Sequence, residues 1–258
     1  MDNPYPDVDR PPTRADDVIQ TVLDPESSLS LLPTRNDSSY HEEFRDANGY
    51  ARMRETDEGR RRKHFEAVNN AGFSKRHKLR MKEAGFGPGD RFLLDWGTGT
   101  ERLELAYGKI KADGGTLLLL GQRGTGKTQI ALEMSRRIAF DQVLNPPEQR
   151  YRVLAELFAE EKRSWKQEER GGPEPLRKAA NVPLLILDEI QERSESAWED
   201  TELTLLFDRR YQNMLRTILI ANLTADGARE KLPSSMWSRI IETGTILECD
   251  WPSFRGAQ

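Results

Sequence analysis

The chemistry in this chain starts at Gly121, Gln122, Arg123, Gly124, Thr125, Gly126, Lys127 and Thr128. These eight residues fit the phosphate-binding loop pattern G-x-x-x-x-G-K-[ST]. Glycines let a backbone wrap closely around phosphate with its N–H groups turned inward. A helix beginning at the loop adds the positive end of its dipole. Lys127 is placed to reach β- and γ-phosphates, and the Thr128 hydroxyl to ligate Mg²⁺. A chance glycine-rich turn would satisfy the same letters. The flanks argue against that: Leu117 to Leu120 run into the loop as a buried strand, and Ile130, Ala131, Met134 and Ile138 follow on one helical face.

A second constellation supplies hydrolytic groups. Leu184-Leu185-Ile186-Leu187 reads as a fully buried strand and ends in Asp188-Glu189. Ligands of parallel sheets gather at the carboxyl ends of strands. Asp188 can therefore join the Mg²⁺ shell beside Thr128, and Glu189 can polarise an attacking water. A third apolar run, Thr217 to Ala221, ends in Asn222. Its amide could orient the lytic water, or it could be a capping Asn in a turn.

The elements that must position these groups are an α/β alternation. Helices are expected over Glu101–Ala112, from the loop to about Phe140, over Ala155 to about Glu168, about 174–180, Glu199–Met214 and about 233–242, with further strands at Tyr151–Leu154 and Gly244–Asp250. Residues 72–100 read as a connection. Upstream, residues 1–40 are rich in Pro, Asp and Ser and read as a disordered acidic leader. The spacing of Phe44, Ala47, Ala51 and Arg54, then Phe65 and Val68, predicts a helical region over 41–70, weakened by Gly49 and Gly59.

Charge is unevenly placed. The net charge of −4 conceals −7 over residues 1–60 and +7 over residues 61–82. The basic stretch suits an acidic partner or phosphate, or a solvated helix face. Charged residues make up 32% of the chain and no apolar run approaches the roughly 18–20 residues of a membrane span, so no membrane role is expected. Cys249 is the one cysteine, which rules out an intrachain disulfide and a zinc site built on several cysteines; a reducing cytoplasm is the expected location. His41, His64 and His77 are scattered and read as surface residues rather than metal ligands.

Taken in order, GQRGTGKT, LLILDE, RRY, TILIAN, SSMWSRI and WPSFR resemble the AAA+ ATPase domain of bacterial and phage replicative-helicase loaders of the DnaC/DnaI type. The IstB-like transposition helper ATPases belong to the same clan. The resemblance covers about residues 71–258, and Ala71-Gly72-Phe73-Ser74-Lys75-Arg76 is similar to the motif at which such modules begin. It implies a P-loop core with a five-stranded parallel sheet in the order 5-1-4-3-2, here without a C-terminal lid domain. It implies ATP and Mg²⁺ as cofactors and hydrolysis coupled to assembly on helicase and DNA, with low intrinsic turnover. Asn222 falls at the family's sensor position, and Arg239 at that of an arginine finger acting on a neighbouring subunit's nucleotide. The implied partners are a replicative hexameric helicase of the DnaB type, docked through residues 41–70, single-stranded DNA, and further copies of the chain in the ATP state. A transposition helper that binds duplex DNA and stimulates a transposase is the alternative. Lys162, Arg163, Trp165 and Lys166 are the DNA contacts the resemblance implies, on a helix that also carries the acidic residues Glu160, Glu161, Glu168 and Glu169.

Overall fold

The computed structural model describes residues 41–47, 50–83, 92, 94–111, 114–141, 147–165, 174–194 and 196–254. The expected leader over 1–40 lies outside them. The chain divides into a unit ending at Thr56 and a larger unit from Asp57 to the C-terminus.

In the first unit, β1 (His41–Arg45) and β2 (Ala51–Glu55) pair antiparallel, with His41 opposite Glu55 and Arg45 opposite Ala51. Asp46 closes the turn: its N–H donates to the Tyr50 carbonyl, and its carboxylate accepts from the Tyr50 N–H, both at 3.0 Å. The helix expected over this stretch is thus a hairpin, and helix begins only at Asp57.

The larger unit is built on a parallel sheet of β3 (Thr116–Leu120), β4 (Gln149–Val153), β5 (Leu184–Asp188), β6 (Arg216–Ile220) and β7 (Thr245–Glu248). Their spatial order is β4-β5-β6-β3-β7. Numbered by chain order within the sheet and read from the β7 edge, this is the expected 5-1-4-3-2. The apolar strands alternate between two cores, as a sheet covered on both faces requires. Leu117, Leu119, Leu184, Ile186, Ile218 and Ile220 face one core; Leu118, Leu120, Leu185, Leu187 and Leu219 face the other.

Helices cover both faces. The first core takes α1 (Asp57–Asn69), α2 (Lys75–Glu83), α3 (Thr100–Lys111) and α4 (Lys127–Asp141). The second takes α5 (Leu154–Ser164), α6 (Pro175–Asn181), α7 (Ala197–Gln212), α8 (Ala225–Lys231) and α9 (Ser234–Thr243). Helices α2 and α8 were not expected from the sequence. Helix α1 packs along α4, so it sits with the core. His64 of α1 is buried and stacks on Phe140 at 5.1 Å, which corrects its expected surface position. No helix among the described residues is long and apolar enough to cross a membrane.

Candidate functional site

Strand β3 delivers the chain into the glycine-rich loop at a point of close contact. Gly121 has φ +135°, and a Cβ there would stand 2.5 Å from the Cys249 carbonyl oxygen. Gly126 has φ +82° and lies against the Trp96 ring, where a Cβ would come within 2.8 Å. Only glycine allows both approaches. The fifteen-residue α4 starts at Lys127 directly after the loop, so its free N–H groups and dipole face the loop's hollow. The buried Lys127 Nζ donates to the carbonyls of Gly121 at 2.8 Å and Gln122 at 2.6 Å, and Thr125 Oγ1 donates to Gln122 O at 3.0 Å.

The carboxylate expected beside this loop is there. Asp188 closes β5 with its side chain nearly fully buried. Its Oδ2 accepts from Thr128 Oγ1 at 2.7 Å and from the Tyr151 hydroxyl at 2.8 Å, while Oδ1 accepts from the Glu189 N–H at 2.8 Å. Burial and the Asp188 charge push the Tyr151 phenol above its ordinary range, so the hydroxyl is the donor. A Thr hydroxyl beside a carboxylate, at the mouth of a phosphate loop, is a hard-oxygen donor set that fits Mg²⁺ held jointly with phosphate oxygens. Glu189 has left-handed backbone (φ +54°) and is half-buried.

Asn222 follows β6. Its N–H donates to Gln191 Oε1 at 3.0 Å, and the Ile190 N–H donates to Ile220 O at 3.2 Å, which locks the end of β6 to the loop carrying Glu189. The cap of α8 is Thr224, whose hydroxyl accepts from the Gly227 N–H at 3.2 Å. Asn222 therefore has no capping role on that helix. From Gln191 the connection continues through Glu192 to Arg123 at the loop's tip, an ion pair of 2.8 Å. Hydrogen bonds from Gln191 and Arg123 hold the Glu192 carboxyl below the usual range.

Arg239 lies elsewhere. It pairs with Asp208 of α7, and its guanidinium lies over the Tyr211 ring at 5.6 Å. It does not join Lys127, Thr128, Asp188 and Glu189.

The expected DNA-contacting residues separate. Lys162 is taken up by Glu199 at 2.9 Å and lies over the Trp198 ring, against which Trp165 also packs edge-on. Lys166 lies outside the described residues. Arg163 instead lines a cleft of about 450 Å³ between β4, α5 and α6, together with Arg150, Arg152 and Lys178. Among the described residues Glu160 is the one carboxylate on its walls, and it pairs with Arg152 at 2.5 Å; Arg150 pairs with Glu148 at 2.8 Å.

Four contributors were missed from the sequence. Tyr151 is one, since only the β4–β5 pairing carries it to Asp188. The others are the aromatics over the loop. Trp251 Nε1 donates to Thr125 O at 2.9 Å, and Trp96 meets both Trp251 at 6.2 Å and Phe254 at 5.7 Å. The Phe254 N–H donates to Gly124 O at 2.9 Å. Tryptophans near a loop motif were the available signal, but it does not say which backbone they hold.

A sequence-family model described as AAA domain (dynein-related subfamily) matches residues 116–245, just over half of the chain. The chain belongs to the AAA family. The matched span runs from β3 to the start of β7 and holds the loop, Asp188, Glu189, Asn222 and Arg239. No curated protein sequence matches the chain. Solved structures share its fold. A structure of the DnaC helicase loader is 20% identical, with a TM-score of 0.52, over 68% of this chain and 99% of that one. Domain III of the Thermotoga maritima replication initiation protein DnaA is 18% identical, with a TM-score of 0.52, over 66% of this chain and 68% of that one. The replication initiator DnaA bound to AMPPCP and single-stranded DNA is 18% identical, with a TM-score of 0.50, over 62% of this chain and 48% of that one. The AAA chain thus spans about half of that initiator's length.

Proposed function

We propose that this AAA protein is an ATP-dependent loader that places a replicative hexameric helicase of the DnaB type on single-stranded DNA. The reading is supported by one combination: a phosphate-loop pattern, the Thr128–Asp188 pair and Asn222 at the ends of β3, β5 and β6, with a basic cleft at the β4 edge of the same sheet. The DnaC helicase loader shares this fold along nearly its whole chain, which supports the choice of partner.

In this reading the loop amides and Lys127 bind the β- and γ-phosphates of ATP, and Thr128 and Asp188 hold Mg²⁺. Bound there, Mg²⁺ would neutralise charge on the transferred phosphate. Glu189 orients and deprotonates the attacking water, and the Asn222 amide fixes that water against the γ-phosphate. Arg239 serves a neighbouring subunit, so hydrolysis follows self-association and intrinsic turnover is low. The cleft lined by Arg150, Arg152, Arg163 and Lys178 carries the phosphates of the single strand. Residues 1–56 dock the helicase, and the protein works in the cytoplasm.

A pull-down with the host helicase tests the partner. Deleting residues 1–56 leaves α1 on the core and is expected to abolish helicase capture while ATP affinity is unchanged. Equal capture by the truncated protein refutes the docking role. Preference for duplex DNA without helicase capture would instead support a transposition helper.

A further inference from the structure

A buried carboxylate that must meet a metal needs its side-chain torsion fixed, and the groups that fix it are commonly one shell out from the metal. Asp188 has three such donors. Two belong to the nucleotide motifs themselves, the Thr128 hydroxyl and the Glu189 N–H. The third, the Tyr151 hydroxyl, comes from the edge strand β4 and lands on the same oxygen that accepts from Thr128.

Tyr151 is held from outside the sheet. Its N–H donates to the Ala71 carbonyl at 2.6 Å, so residues 71–73 dock on the edge of β4 that no other strand among the described residues covers. Its ring stacks on Phe73 with centroids 4.6 Å apart and planes 27° apart. Ala71 and Phe73 are both buried. This segment directly follows α1, the helix with which the chain enters the larger unit.

We propose that Tyr151 is a positioning residue for Asp188, and that through Tyr151 the Ala71–Phe73 segment sets how tightly the AAA site takes Mg²⁺ with its nucleotide. The inference rests on the nucleotide reading of the site. Hydrogen bonding by Tyr151 keeps Oδ2 turned toward Thr128. A shift of the docked segment moves the Phe73 ring, then the phenol, and frees the carboxylate to rotate away. An event at the N-terminal region would thereby be felt at the metal site without any contact to nucleotide.

The test uses the full chain, a fluorescent ATP analogue and a Mg²⁺ titration, with Mn²⁺ counted by EPR as a direct metal readout. Tyr151→Phe keeps the ring and its stack on Phe73 and removes only the hydroxyl. It is expected to leave nucleotide affinity in EDTA unchanged, to lower the melting temperature by roughly a few degrees as the buried Asp188 loses one of its donors, and to raise the Mg²⁺ needed for half-maximal binding about tenfold. Phe73→Leu is expected to raise that requirement in the parent and to add nothing in the Tyr151→Phe background, the signature of a shared path. A Mg²⁺ requirement in Tyr151→Phe equal to the parent's overturns the positioning role. Equal shifts from Phe73→Leu in both backgrounds overturn the coupling. A parent that binds nucleotide with no dependence on Mg²⁺ overturns the reading of the site and the inference with it.

Discussion

Glu189 is one of two described non-glycine residues with left-handed backbone, at φ +54°. Such a conformation costs on the order of 1 kcal/mol and persists where surrounding bonds over-determine it. Here its N–H is held by Asp188 Oδ1, its carbonyl accepts from the Glu192 N–H at 2.9 Å, and the next N–H is fixed to Ile220. The strain turns the chain sharply after β5, so successive carboxylates take different tasks: Asp188 faces Thr128, and Glu189 is left free of that pairing. Glu189→Gln retains shape and removes the carboxylate proposed as the base. It is expected to bind ATP as the parent does and to lower turnover on the order of 100-fold, measured in single-turnover assays with helicase and DNA present. A turnover equal to the parent's would assign the base elsewhere.

At the scale of elements, Arg210 of α7, in the RRY run, ties α6 to β6. It is almost wholly buried, and its guanidinium donates to Ala179 O at 2.9 Å, Val182 O at 2.7 Å, Thr217 Oγ1 at 2.9 Å and Arg216 O. It thus satisfies carbonyls at the end of α6 and ties them to β6, the strand that carries Asn222. Burial pushes its pKa down to about 9. Arg210→Met leaves those carbonyls without donors and is expected to cost about 3 kcal/mol of stability, read from urea unfolding, with ATP affinity of the folded protein retained. From sequence, an arginine within a charged helix reads as solvated, and its burial depends on where α6 ends. The same logic divides what the sequence revealed from what it hid. Strands β3, β5 and β6 were legible because each is a short apolar run, and so was the site that hangs on their ends. The β1–β2 hairpin was not, because HEEFR and ARMRE have almost no apolar alternation and Phe44, Ala47 and Ala51 happen to match a helical spacing. Helix α2 was hidden too. Of its two apolar residues Met81 is fully buried while Leu79 stays about half exposed, too little for a visible stripe. Tyr151 depended on strand register, which one sequence does not encode in any local pattern.

At the scale of the molecule, the position of Arg239 decides what the AAA site can do alone. The cluster of Lys127, Thr128, Asp188 and Glu189 holds the groups proposed for binding and water activation, yet the arginine implied by the sequence is paired with Asp208 on α7. If that guanidinium completes a neighbour's site, it must exchange Asp208 for a γ-phosphate upon assembly, and hydrolysis becomes a report that subunits have met. Arg239→Ala should then bind ATP normally and lose turnover by a factor on the order of 1,000. Lys127→Ala should lose its own nucleotide but keep a working Arg239. Mixed in equal amounts, two variants that are each inactive should regain activity, because an Arg239→Ala subunit still binds ATP and its Lys127→Ala neighbour still supplies the arginine. With random mixing, a site needs its own lysine and its neighbour's arginine, so about a quarter of parental turnover is expected. Regained activity cannot come from either chain acting alone. A mixture no more active than its components would place Arg239 in the stability of the α7–α9 contact instead of in the neighbour's chemistry.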